Sequence, residues 1–358
     1  MKRNWGYFIA GQAGVVPVAF GSPGIAKTAS CRALATATGR EFVSFVLQHH
    51  LPEDFGGFPV VTEIEHAGRK LRYMDRVPDR KIVMASLQPS VVLFDELTNA
   101  GHALQAAALQ IIQDGIPGSW VLGAANPPEL AAAGVDFTPP FVNRLCILQW
   151  QPDEEGWDEG CRNGFSFPSP NVPVLPENWR DYCTKWGRLL VEFRRRMPDL
   201  WNKPPADPAK ATEPFPSPRS WTNTGMLCAA AESVQAGEVV QAELVYGCVG
   251  VAAGTAFMRW LSDLNLPDPE AILRSPASLK LPARGDMAVA IISSVINRVR
   301  ENNAPARWEA GREVLDVAWK QSQEVAMAAE GALWKVKPEG YTPVQRHSEM
   351  AKARLLSV

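Results

Sequence analysis

Short, largely apolar runs alternate with amphipathic stretches through the first 150 residues. Glu41 to Leu47, Val91 to Phe94 and Trp120 to Ala125 each read as a buried strand, Val15 to Phe20 as a strand before a glycine-rich loop, and Leu145 to Trp150 as a last strand. Between them, the stretch from Thr28 to about Thr38 and the stretch from Thr98 to Gln113 have helical character. In the second, Leu104, Ala107, Ala108, Ile111 and Ile112 share one face. Val60 to Tyr73 alternates around Ala67-Gly68 and predicts a hairpin, and Arg80 to Leu87 predicts a short helix before Pro89. Continuous apolar strands separated by helices predict an α/β fold, with a parallel sheet between helices.

The pattern changes after Gln151. Pro, Gly and Trp are frequent up to Trp179, as in irregular loops. Helices are then expected over Asn178 to Met197, from Ser217-Pro218 onward, over Val240 to Leu261, over Met287 to Arg300, and over Trp308 to about Lys335. Ser217 is the expected N-cap of the second of these, with Pro218 at its first position. Gly247, Gly250 and Gly254 lie at the spacing of close helix packing. The expected divisions are a nucleotide-binding core over 1–150, a linker and helical region over 151–300, and a C-terminal helical extension over 301–358.

A formal net charge of -2 does not favour a non-specific nucleic-acid binder. None of the six cysteines forms a C-x-x-C pair, so neither a zinc site nor a disulfide framework is indicated. No apolar run approaches the roughly 20 residues of a membrane span, and the first residues do not resemble a secretory signal. A reduced, cytoplasmic protein is expected.

The chemistry concentrates at strand ends. After the first strand comes Gly21-Ser22-Pro23-Gly24-Ile25-Ala26-Lys27-Thr28, then a helix. In that setting backbone N–H groups can turn toward phosphates, Lys27 can reach the β/γ-phosphates of ATP, and Thr28 can ligate Mg²⁺. Ala26 stands where this motif normally has Gly. The strand Val91 to Phe94 delivers Asp95, a candidate ligand of Mg²⁺, and Glu96, a candidate for polarising water. The third strand delivers Asn126, which could position water or sense the γ-phosphate. Arg144 precedes the last strand. Arg219 sits in the first turn of a helix, where a cation is disfavoured by the dipole and hints at an anionic partner. His49-His50 reads as loop. Phe55 and Phe58 flank Gly56-Gly57 as apolar tips of a bendable loop.

Taken together, these motifs resemble the AAA+ ATPases, and among them the MoxR group, over about residues 10–150 and more loosely over 179–300. The Ala26 variant also occurs in MoxR-type proteins. The resemblance implies ATP hydrolysis with Mg²⁺, Asn126 as sensor 1, Arg144 as the arginine finger offered to a neighbouring subunit, and Arg219 as sensor 2 opening a helical lid. It implies a homo-oligomeric ring, usually a hexamer. It also implies chaperone-like action on a protein client, commonly beside a von Willebrand factor A domain partner, a domain this sequence does not show. Only five residues separate Asp114 from Trp120, where many MoxR-type proteins carry an insert. That leaves Phe55 to Phe58 as the better candidate for a client-contacting loop. A nucleic-acid motor of MCM-like type and a nucleotide-gated scaffold with little turnover are the alternatives.

Overall fold

The computed structural model describes residues 4–130, 134–165, 171–207, 212–263 and 267–344. In chain order the elements are α1 (Trp5–Ala13), β1 (Pro17–Phe20), α2 (Lys27–Ala37), β2 (Glu41–Val46), α3 (Pro52–Gly56), β3 (Phe58–His66), β4 (Arg69–Val77), α4 (Arg80–Leu87), β5 (Ser90–Asp95), α5 (His102–Asp114), β6 (Trp120–Ala125), α6 (Pro139–Val142), β7 (Cys146–Gln149) and α7 (Glu154–Arg162). They continue with α8 (Cys183–Arg196), α9 (Pro218–Ser233), α10 (Glu238–Val249), α11 (Val251–Ser262), α12 (Pro269–Arg274), α13 (Gly285–Glu301), α14 (Pro305–Gln321) and α15 (Gln323–Lys335). Two compact units result: Met1–Trp179 with Leu200–Gly254, and Arg180–Asp199 with Thr255–Val358. The divisions expected at 150 and 300 cut the chain differently. Residues 200–254 join the first unit because α9 and α10 pack on α1, and α10 also on β7.

Among the described residues of the first unit, the apolar runs form a five-stranded parallel sheet, ordered β2-β5-β6-β1-β7. One face carries Val18, Phe45, Val92 and Phe94 against Leu104, Ala108, Ile111 and Ile112 of α5. On the β7 side, α10 comes unusually close. A Cβ at Gly247 would stand 2.7 Å from the carbonyl of Ile147, so only glycine permits that approach.

The sequence did not announce α1. Seven of its nine residues are buried, which leaves no polar face to give a period. The apolar stretch Val240 to Leu261 is two helices rather than one. The chain breaks at Gly250, whose φ is 80° and where a Cβ would meet the Pro214 carbonyl at 2.3 Å. The last helix is likewise split, at Ser322.

The hairpin is β3 paired antiparallel with β4, from Phe58↔Val77 to His66↔Arg69, and turns at Ala67-Gly68. The expectation of two apolar loop tips is corrected here. Phe55 lies in α3 and is buried against Phe45, His50 and Phe94. Phe58, the first residue of the hairpin, is exposed. His50 caps this region, with Nδ1 3.0 Å from Asp54 Oδ2, so the His pair has a local structural partner.

In the second unit, α12 to α15 share one core around Trp308, whose indole donates to the Leu333 carbonyl at 2.9 Å. Glu270 accepts from Arg298 (2.7 Å) and from Arg307, and Arg284 grips Asp286 with two bonds of 2.7 and 2.8 Å. No helix among the described residues is long and apolar enough to cross a membrane.

Candidate functional site

Parallel strands send every βα connection to one edge of the sheet. The loop after β1, the acids after β5 and the Asn after β6 therefore converge there. Lys27 opens α2 and is 8% exposed, its ammonium folded back into its own loop. Nζ donates to the carbonyls of Gly21 (2.6 Å) and Ser22 (2.9 Å) and to Oδ1 of Asn126 (2.8 Å). An ammonium has three donors, and all three are matched. Burial lowers the Lys27 pKa, and the charge of Asp95 opposes that shift.

The Lys27 contact also orients Asn126. Its Oδ1 must face the ammonium, which leaves Nδ2 as a donor on the other side. The Asn126 backbone is fixed separately, since its carbonyl accepts from Thr98 Oγ1 at 2.9 Å.

Thr28 Oγ1 donates to Asp95 Oδ2 at 2.6 Å, and the Glu96 N–H donates to Asp95 Oδ1 at 2.9 Å. Both carboxylate oxygens of Asp95 are thus held in place. Glu96 itself stands in the left-handed region, with φ 58°, and its Oε2 accepts from Asn99 at 3.3 Å. A non-glycine residue there carries strain of about 1–2 kcal/mol.

The loop between Gly21 and Lys27 is open to solvent over Ser22, Pro23 and Gly24. Gly24 has φ 81° and Ala26 has φ 62°. The unusual Ala26 thus occupies the conformation for which glycine is the ordinary choice. Ala26, the N-cap of α2, has no side chain able to accept from the first N–H groups, and no side-chain cap bond is made there among the described residues. The far side of the loop is anchored by Trp150, whose indole Nε1 donates to the Ile25 carbonyl at 3.0 Å. Trp150 in turn packs edge-on against Tyr7 and Phe8 of α1. Sequence reading missed this support, and the position of Trp150 at the end of the last strand was its only signal.

The two candidate arginines are elsewhere. β7 pairs with β1 so that Cys146 faces Pro17 and Gln149 faces Phe20. Arg144, before Cys146, therefore stands at the opposite sheet edge, separated from the Lys27 loop by roughly 13 Å of strand. Its Nη1 donates to the Pro140 carbonyl (2.6 Å) and its Nε to Gln113 Oε1 (3.2 Å). Asn143 donates to Ser217 Oγ at 2.9 Å and so ties the start of α9 to the same edge. Arg219 follows two residues later. Burial, then the charge of Arg219, lowers the Arg144 pKa. The fold thus gathers Lys27, Thr28, Asp95, Glu96 and Asn126 at one edge, and Arg144 with Arg219 at the other.

The groups at the first edge suit a triphosphate with Mg²⁺. They offer an ammonium, an uncapped helix start, and a hydroxyl beside a carboxylate, which are hard oxygen ligands that need phosphate and water to complete an octahedron. Among the described residues there is no cluster of three or more His, Cys, Asp or Glu that would hold a metal by itself.

No family model and no curated protein matches the chain. Among solved structures it is similar to a protein of Cytophaga hutchinsonii called "a putative ATPase", at 16% identity over 74% of this chain and 89% of that one, with a TM-score of 0.44. A likeness this loose carries nothing over to this chain.

Proposed function

We propose that the chain binds ATP with Mg²⁺ and hydrolyses it, as a AAA+ protein of MoxR type. The observation that carries this reading is the Lys27 ammonium, held at the mouth of an open glycine loop and bonded to Asn126 beside the Thr28–Asp95 pair. Lys27 exchanges a carbonyl partner for a phosphate oxygen. Thr28 and Asp95 hold Mg²⁺, which neutralises developing phosphate charge when bound. Glu96 orients and polarises water, and the Asn126 Nδ2 donor holds water or a terminal phosphate oxygen. Positioning and electrostatics supply the catalysis.

Arg144 stands a strand's length from its own loop, so it serves a neighbour's in a ring, here taken as a hexamer, and Arg219 is the sensor-2 cation. The helical lid of this reading, within residues 151–300 and opened by Arg219 at the start of α9, couples nucleotide state to a protein client. A partner with a von Willebrand factor A domain belongs to the same reading, and the cytoplasm is its setting. Calorimetric titration of Mg·ATP into the parent protein and Lys27→Ala tests the binding step. Saturable binding by the parent and none by the variant is expected, and equal binding by both would dismiss the reading.

A further inference from the structure

A cavity of about 660 Å³ opens at the C-terminal ends of β1 and β7, on the face of the sheet that α5 covers. Phe20 and Gln149, which face each other across those strands, line it, and Ile147 and Phe137 complete an apolar floor. The whole lining belongs to the first unit. Residues 21–28, Asp95, Glu96, Asn126 and Trp150 take no part in it, so the cavity is separate from the candidate nucleotide site. Its volume falls within the range of small-ligand pockets, roughly 300–1,000 Å³.

The fold holds both side walls. On one, the Val135 N–H donates to the Thr98 carbonyl at 2.9 Å, and Gln105 Nε2 donates to the Asp136 carbonyl at 3.4 Å. On the other, Pro214 presses against the break between α10 and α11, where a Cβ at Gly250 would stand 2.3 Å from its carbonyl. Tyr246, one turn earlier in α10, lines the same wall. A ligand therefore meets a preformed site and loses little affinity to ordering it.

The charge of this lining has one sign. Glu129, Asp136 and Glu213 contribute to it, and no lysine, arginine or histidine does among the described residues. Composition does not force that, since the chain carries 36 Lys and Arg against 38 Asp and Glu. Elsewhere Glu63, Glu192 and Glu270 each face an arginine. The three cavity carboxylates have no such partner among the described residues. A cleft lined by one sign over an apolar floor concentrates its field on an incoming counter-charge.

A single metal ion does not match the arrangement. Among the described residues no three His, Cys, Asp or Glu side chains group closely enough to hold one. Carboxylates spread around an apolar floor are better matched by several positive charges spaced along an apolar stem. Phe20, Phe137 and Tyr246 add aromatic rings, which attract ammonium groups.

We infer that this cavity binds a linear aliphatic polyamine, its ammonium groups at Glu129, Asp136 and Glu213 and its methylene stem along the aromatic floor. The inference goes beyond the nucleotide reading and does not depend on it.

The test is equilibrium dialysis of the full chain against labelled spermidine, without nucleotide and at physiological ionic strength, where loose surface attraction is screened. One saturable site per chain is expected. Putrescine, with fewer charges, should compete less well, and butylamine and Mg²⁺ at matched ionic strength should compete poorly. An exposed ion pair is worth up to about fivefold in affinity, so Glu129→Gln, Asp136→Asn and Glu213→Gln should each weaken binding about two- to fivefold. The triple variant should bind at least about tenfold more weakly. Glu65→Gln removes the same charge from the hairpin and should bind like the parent. Tyr246→Phe, which keeps the ring, should also do so, whereas Tyr246→Leu should lose roughly twofold or more. Lys27→Ala should bind spermidine as the parent does, so failure of the phosphate-loop reading would leave this site standing.

The inference is overturned if spermidine does not saturate, if the triple variant binds it like the parent, or if Glu65→Gln costs as much as the cavity variants. Displacement by Mg²⁺ as effective as that by putrescine would also overturn it. So would tighter binding of an acetylated trilysine amide than of spermidine, which would make the cavity a peptide site.

Discussion

Lys27 Nζ and Asn126 Oδ1 are 2.8 Å apart, although 99 residues separate them in the chain. The bond joins the loop after β1 to the end of β6, the neighbouring strand. It fixes a cation and an amide donor side by side on the sheet edge where β5 delivers Asp95 and Glu96. A terminal phosphate at this edge would meet groups already held by the fold, so little would need to reorganise on binding.

Ala26 sits in a left-handed conformation that costs an alanine about 1–2 kcal/mol. Ala26→Gly should relieve that strain, partly offset by the greater freedom of glycine in the unfolded chain. We expect a gain of about 0.5–1 kcal/mol in urea denaturation, with Mg·ATP affinity unchanged. A loss of stability would mean that the alanine methyl makes a contact worth more than the strain.

Trp150 holds the loop through one hydrogen bond to Ile25 and two ring contacts. Trp150→Phe keeps an aromatic ring and removes the indole N–H. One hydrogen bond is worth about 0.5–1.5 kcal/mol, so nucleotide affinity should fall by at most about two- to twelvefold. Global stability should change much less than for Trp150→Ala. Isothermal titration and thermal melts on the two variants check both halves.

Much of this fold was legible in the sequence. Five apolar runs bounded by Gly, Pro and polar residues became the five strands, and Ser217 caps α9 with its hydroxyl on the Ser220 N–H. The strand order loop, acid, amide also foretold that Lys27, Thr28, Asp95 and Asn126 share one edge, since a parallel sheet puts all such ends together. What stayed hidden depends on tertiary neighbours. α1 is apolar on nearly every side because the sheet, α9 and α10 cover it, so no periodicity marks it. Gly250 looked like one of three packing glycines, but the carbonyl of Pro214 makes it a break. Phe55 and Phe58 looked alike, and only the packing of Phe45 and Phe94 separates a core ring from an exposed one. The nearness of Arg144 and Arg219 follows from the Asn143–Ser217 bond between segments 74 residues apart.

Arg144 at the far edge predicts a shared active site. Hydrolysis per subunit should rise steeply with protein concentration. Arg144→Ala should bind Mg·ATP nearly as the parent does and lose most of its turnover, since an arginine supplied across an interface is worth about 10³-fold or more. Mixing it with Lys27→Ala should restore part of the rate, because the Lys27 variant still offers Arg144 to an intact loop. A steady-state assay on each variant and on exchanged mixtures decides; a rate independent of concentration in demonstrated monomers would refute sharing.

The second unit should carry an acid-sensitive pair. Hydrogen bonds from Arg284 hold the buried Asp286 carboxyl below the ordinary carboxylate range. The unfolded chain takes up that proton at a higher pH, near the ordinary aspartate value of about 4. The pair's contribution is therefore full above that pH and is lost as the pH falls through the lower folded value. Asp286→Asn should cost about 1–3 kcal/mol at neutral pH and flatten the acid limb of stability. Urea midpoints between about pH 3 and 7 measure both effects, and an unchanged acid limb would assign it to other carboxylates.

Single-turnover hydrolysis of Mg·ATP, with protein in excess over nucleotide, tests the central claim most directly. The parent chain, assembled at high concentration, should convert bound ATP to ADP and phosphate. Glu96→Gln should bind ATP with near-parental affinity and convert it at least about 100-fold more slowly, the loss expected when a positioned base is removed. Lys27→Ala should bind no ATP under the same conditions. Conversion by Glu96→Gln at the parental rate, or tight binding by Lys27→Ala, would contradict the account.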